Sequence, residues 1–139
     1  MDHRGAYVAH LAMPTLKVGT RNRVNGAALM AFFEQYRETR NHAFLELVGT
    51  RPQEGAVGAF SFGHSTGLVQ GVLYGLAIPH TLITPDKWKR KNGLSGTDKD
   101  AARSRAIQLY PDVRALDLKA KGQALADALL IARAGLLEL

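Results

Sequence analysis

Apolar and polar positions along this chain repeat with two different periods, and the changes of period mark its elements. From Gly5 to Leu11 (GAYVAHL) the alternation is strand-like, with Tyr7, Ala9 and Leu11 on one side and Val8 and His10 on the other. Met13-Pro14 ends that strand. Thr15 to Gly19 then reads as a paired edge strand, with a turn around Thr20, Arg21 and Asn22. Asn25 has the chemistry of a helix N-cap, and Ala28, Leu29, Phe32, Phe33 and Tyr36 follow at helical spacing, in a helix ending near Arg40. His42 to Gly49 is apolar on both faces, as a strand covered by helices should be. The stretch from Gly49 to Gly63, rich in glycine, proline and small residues, reads as a loop. Ser65 can cap the next helix, through Leu68, Val69, Val72, Leu73 and Leu76, whose Gly67, Gly71 and Gly75 permit close packing.

A short strand, His80 to Thr84, leads into Pro85 at the first turn of a basic helix, Asp86 to Lys91, with Thr84 as its cap. Asn92 to Gly96 is a turn. Thr97 and Asp100 form a variant capping box for a helix running to Tyr110, before Pro111. The last helix, from about Lys121 to Leu136, places Leu125, Leu129, Ala132 and Leu136 on one stripe. Strands interleaved with helices predict an α/β fold, a mixed sheet with helices on both faces, in one domain over residues 1–139. A hairpin strand beginning at residue 5 lacks a partner before it.

Composition fits a globular chain, with 46% hydrophobic and 22% charged residues. There is no cysteine, which removes disulfides and thiolate metal sites. The apolar runs fall short of the ~20 residues that span a bilayer. The first residues, MDHRGAYVAHL, contain no long apolar core of a signal peptide, so a cytoplasmic protein is expected. The net charge of +6 favours an anionic partner. Its distribution sharpens this: Lys87, Lys89, Arg90, Lys91, Lys99, Arg103 and Arg105 cluster against only Asp98 and Asp100.

Two carboxylates stand where solvated charges should not. Glu46 lies mid-strand among Phe44, Leu45, Leu47 and Val48, and Asp127 lies within the apolar run ALADALLIA. A buried carboxylate is costly unless it is paired, hydrogen-bonded or bound to a cation. Neither has a Lys or Arg beside it in sequence, and carboxylate oxygens suit Mg²⁺ or Mn²⁺. The plain alternative places Glu46 at an exposed strand edge and Asp127 on the solvent side of its helix.

Several segments, in linked order over almost the whole chain, resemble the RuvC-like Holliday-junction resolvases. These are MPTLKVG at 13–19, FLELV at 44–48, FSFGHSTG at 60–67, ITPDKWKRKNGLSGTDKDAARSRAIQLYP at 83–111 and ADALLIA at 126–132. The resemblance implies an RNase H-like fold and Mg²⁺-dependent cleavage of branched DNA, by a homodimer, in a bacterial or phage-infected cell. It assigns Glu46 and Asp127 as metal-holding catalytic carboxylates. Phe60 and Phe62 fall in the family's DNA-approaching loop, where an aromatic ring can stack on an unpaired base. Lys87, Lys89, Arg90, Lys99 and Arg103 match its phosphate-binding segment. Trp88 matches a tryptophan of that segment, and packing in the core is the preferred reading of it. The family's opening strand ends in an aspartate, as Asp-Pro, three residues, then Gly-Ala. Here Gly5-Ala6 matches the end of that pattern and the aspartate would fall before Met1, so the resemblance implies a chain lacking that first strand and ligand. Asp2 is a possible substitute. Before Asp127, where relatives often carry Asp or His, stand Gln123 and Ala124. A junction-cleaving endonuclease is the leading reading. A catalytically impaired protein that binds branched DNA, and a nuclease of the same fold acting on another substrate, stay open beside it.

Overall fold

The structure, a computed structural model, describes residues 1–37, 41–50, 53–96 and 100–139. The chain falls into two compact units, one of Met1–Ala12, Phe44–Leu47 and Thr81–Leu139, the other of Met13–Ala43 and Val48–His80.

In the second unit, β1 (Thr15–Val18) pairs antiparallel with β2 (Arg21–Val24), Thr15 opposite Val24 and Val18 opposite Arg21. The expected turn at Arg21 and Asn22 is therefore a strand, and Gly5 to Leu11 is not one. The reason is local. Gly19 adopts φ +62° at the first position of a two-residue loop, which closes a tight hairpin on the C-terminal side of β1. Asn25 caps α1 (Gly26–Glu34) as expected, its Oδ1 accepting the Ala28 N–H at 3.1 Å. α1 ends at Glu34, well before Arg40, which lies outside the described residues.

The stretch read as a loop to Gly63 is instead helical from Ala56, as the first turns of α2 (Ala56–Gly75). Its N-cap is Gly55, which offers no side chain to the first turn. Ser65 sits inside the helix and donates its hydroxyl to the Ser61 carbonyl at 2.9 Å. A Cβ built at Gly67, Gly71 or Gly75 meets nothing within 4 Å, so the expected close packing at those glycines is not formed. The close approach is at Gly26, where a Cβ would stand 3.0 Å from Leu68.

α2 closes with paired bonds, Ala77 N–H to the Tyr74 carbonyl at 3.0 Å and Ile78 N–H to the Leu73 carbonyl at 2.9 Å, with Leu73 and Ile78 both buried. This termination places Ala77 in the left-handed region, at φ +54°, where a Cβ is disfavoured by roughly 1 kcal/mol. Ala77→Gly is expected to stabilise the chain by about that amount, read as a rise in denaturation midpoint at unchanged m-value.

The first unit is organised by α5 (Lys119–Leu136). Packed against it are α3 (Pro85–Lys91), α4 (Ala101–Leu109) and a 3₁₀ turn at Arg114–Asp117. Thr84 and Pro85 open α3 as their chemistry predicts, Thr84 Oγ1 accepting the Lys87 N–H at 3.3 Å. Thr97 lies outside the described residues, and α4 begins after Asp100. β3 (Ala43–Glu46) pairs with β4 (His80–Ile83) in a second two-stranded sheet. Their bonds, Ala43 N–H to Pro79 O and Leu47 N–H to Ile83 O, advance in the same direction, so the strands run parallel.

α5 buries Leu125, Ala126, Leu129, Leu130 and Ala134 in a core shared with Ile83, Trp88, Ala106 and Leu116. Full burial of each Leu or Ile here contributes about 1.5–3 kcal/mol. The buried stripe is wider than the expected one, and Ala132 and Leu136 are only half-buried. Two glycines set its approach distances. A Cβ at Gly122 would press on the Leu116 carbonyl, and one at Gly135 would overlap the Phe44 ring. Among the described residues no helix is long and apolar enough to cross a membrane.

Candidate functional site

Glu46 ends β3, and Asp127 sits in the third turn of α5. Both are half-buried rather than enclosed, because β3 belongs to a two-stranded sheet and Asp127 lies at the margin of the buried stripe. Glu46 Oε1 accepts the indole N–H of Trp88 at 2.8 Å. Asp127 Oδ1 accepts the side-chain amide of Gln123, one turn earlier on α5, at 2.9 Å. Lys89, exposed on α3, holds its ammonium 5.6 Å from the centre of the Trp88 ring.

Burial pushes the Asp127 carboxyl above its ordinary range. The Gln123 hydrogen bond opposes that, the Glu46 charge adds to it, and Lys89 opposes it more weakly. Glu46 thus acts on Asp127 as a nearby like charge. Mg²⁺ is commonly held by one or two carboxylates, with waters and substrate phosphates completing its shell. Glu46 and Asp127 fit that role in charge and donor chemistry. Among the described residues, no group of three His, Asp or Glu side chains comes together around them. Asp2 Oδ1 accepts the backbone N–H groups of Ala6 at 2.8 Å and Arg4 at 2.9 Å. These bonds, the one from Ala6 foremost, hold the exposed Asp2 carboxyl below its ordinary range.

The basic residues divide. Lys89 and Arg90 are exposed on α3, whereas Lys87 and Lys91 reach Glu138 at 2.8 and 3.6 Å. The Lys87 bond holds the exposed Glu138 carboxyl below its ordinary value, with Lys91 adding to the effect. Arg103 is half-buried and donates to the Leu116 carbonyl at 3.5 Å. Lys99 lies outside the described residues. Glu138→Gln is expected to release Lys87 and Lys91 from this carboxylate.

Phe60 and Phe62 belong to the second unit, on α2 rather than in a loop, with Phe60 67% exposed. Sequence reasoning missed their neighbour Arg23. Its guanidinium lies 5.9 Å from the centre of the Phe60 ring and donates to Ser61 Oγ at 3.0 Å. It also missed Asn92, read only as a turn residue. Asn92 is buried, donates to the Trp88 and Leu130 carbonyls at 2.8 and 3.0 Å, and accepts from Arg133 at 3.1 Å. The available signal was a short amide at the C-terminal cap of α3; its partners lie too far along the chain to be read from it.

No protein-family model matches this chain. No curated protein matches it. Among solved structures, RuvC from Thermus thermophilus is similar, with a TM-score of 0.55 and 19% identity over 78% of this chain and 61% of that one. The chain thus spans about three fifths of the length of that structure. The likeness is one of fold: this is a mixed α/β chain with small sheets and packed helices, similar in fold to that RuvC structure.

Proposed function

We propose that this chain is a metal-dependent endonuclease acting on branched DNA, in the manner of a Holliday-junction resolvase. The observation that carries the reading is the placement of two half-buried carboxylates in a chain similar in fold to RuvC, Glu46 on β3 bonded by the Trp88 indole and Asp127 on α5 bonded by the Gln123 amide. Glu46 and Asp127 would hold Mg²⁺ or Mn²⁺, which supplies positive charge against a scissile phosphate and acidifies an attacking water. The protein's own part is positional. Gln123 orients Asp127, and the Trp88 N–H fixes one oxygen of Glu46. Lys89, Arg90, Lys99 and Arg103 contribute phosphate contacts, joined by Lys87 when it leaves Glu138. Phe60, with Arg23 against its ring, offers a face on which an unpaired base stacks, and Phe62 lies two residues on. A four-way junction presents two symmetric cuts, which calls for a two-fold homodimer. The bacterial cytoplasm is the setting that follows.

The test is cleavage of a four-way junction, beside a linear duplex of the same strands, in Mg²⁺, Mn²⁺ or chelator. Metal-dependent cutting of the junction, lost in Glu46→Gln, is the expected result. Equal cutting by Glu46→Gln would remove the reading. A second reading, binding of branched DNA without cleavage, is favoured because no group of three His, Asp or Glu side chains comes together among the described residues. Tight junction binding with no cutting in either metal would establish it.

A further inference from the structure

We infer that Trp88 is a positioning residue for the cation at Glu46, an inference that rests on the metal reading above. Trp88 is the chain's sole tryptophan and is 3% exposed. A buried indole packs as an apolar body, but its N–H is a donor that must find an acceptor. Here the acceptor is Oε1 of Glu46, at 2.8 Å, across 42 residues of sequence. A hydrogen bond to a carboxylate is charge-assisted, and it holds one oxygen while the second is left to face a cation.

The geometry behind the indole ties both carboxylates to one helix. The Trp88 carbonyl accepts from Asn92 Nδ2 at 2.8 Å, and the same amide donates to the Leu130 carbonyl on α5 at 3.0 Å. Leu130 lies one turn beyond Asp127 on that helix. Glu46 is thereby registered to α5 through Trp88 and Asn92, while Asp127 is carried by α5 itself. The separation of the two carboxylates is set by this relay as well as by strand packing. Groups that orient metal ligands from behind commonly alter metal affinity about 10- to 100-fold when removed.

The experiment is calorimetric titration of the full chain with Mg²⁺ alone and Mn²⁺ alone. It compares the parent, Trp88→Phe, Glu46→Gln, and a chain carrying benzothienylalanine at position 88, which replaces the N–H by sulfur and keeps the bicyclic shape. Melting temperature is measured in parallel, so that loss of packing is read separately from loss of the donor. The parent is expected to bind with Glu46→Gln strongly impaired, and the isostere to bind about 10- to 100-fold more weakly at a nearly unchanged melting temperature. The parent's tryptophan emission should change on metal addition, and that change should vanish in Glu46→Gln. Binding by the isostere as tight as the parent's overturns the role of Trp88 and leaves the metal site standing. No binding by the parent in either metal overturns the metal reading, and the inference falls with it.

Discussion

Asp127→Asn is expected to melt above the parent chain at pH 7 while cutting junctions at least ~100-fold more slowly, a loss typical of removing one group that stabilises developing charge. Burial and then Glu46 raise the Asp127 carboxyl above its ordinary 3.8, so the folded chain keeps that proton to a higher pH than the unfolded chain does. Stability therefore falls as pH rises from that ordinary value through the raised one, and beyond it the ionised form is carried at a cost. Asparagine carries no such charge and retains a partner for Gln123. Because the group is only half-buried, the gain at neutral pH is set at the low end for charge optimisation, about 0.5 kcal/mol or about 2 °C. It should vanish below about pH 3.8, where both chains are neutral at this position. Added Mg²⁺ should raise the parent's melting temperature and leave the variant's unchanged. Melting curves across pH, with and without Mg²⁺, and junction cleavage check the three parts. A variant no more stable than the parent at neutral pH would show that the carboxyl is not under strain.

Asn92→Ala is expected to lower stability by about 3 kcal/mol, or about 10 °C in melting temperature. Asn92 is 3% exposed and uses both amide hydrogens and its carbonyl oxygen. Alanine leaves a cavity, withdraws a donor from the Trp88 and Leu130 carbonyls, and takes the acceptor from Arg133. Asn92→Asp tests the polarity of the network at almost constant volume. It turns a carboxylate oxygen toward two carbonyl oxygens, so it should be worse than alanine at pH 7 and recover as the pH is lowered. Chemical denaturation at both pH values reads the difference. A loss below about 0.5 kcal/mol for alanine, the level of an ordinary surface change, would mean that the network is not a structural tie.

What could be read from the sequence was whatever is local. Asn25 and Thr84-Pro85 cap their helices because cap chemistry acts within one turn. Glu46 and Asp127 stood out as charges in apolar surroundings, although both are half-buried and their coupling spans separate elements. The start of α2 was hidden because Gly55 caps it without a side chain, and the glycines that follow resemble loop punctuation. β2 was hidden because RNRV is polar, and a two-stranded hairpin exposed along β1 needs no apolar face. The ion pairs of Lys87 and Lys91 were hidden because their partner, Glu138, is some fifty residues away in sequence. Trp88 on Glu46, Asn92 on Leu130 and Arg133 on Asn92 are the same kind of contact. Periodicity places each residue on an element but not the elements on one another.

The missing Cβ at Gly135 has a consequence for how this packing can vary. Gly135 admits the Phe44 ring against α5, and Phe44 lies two residues before Glu46, on the same side of β3. The volume at 135 and the volume at 44 are therefore one shared quantity. Gly135→Ala alone should push β3 outward and lower stability, with lost metal affinity beside it on the proposed metal reading, and Phe44→Leu added to it should restore part of the loss. Related chains should show the same exchange as paired drift, a larger residue at one position meeting a smaller one at the other, so that the carboxylate at 46 is inherited together with a hydrophobic contact two residues away.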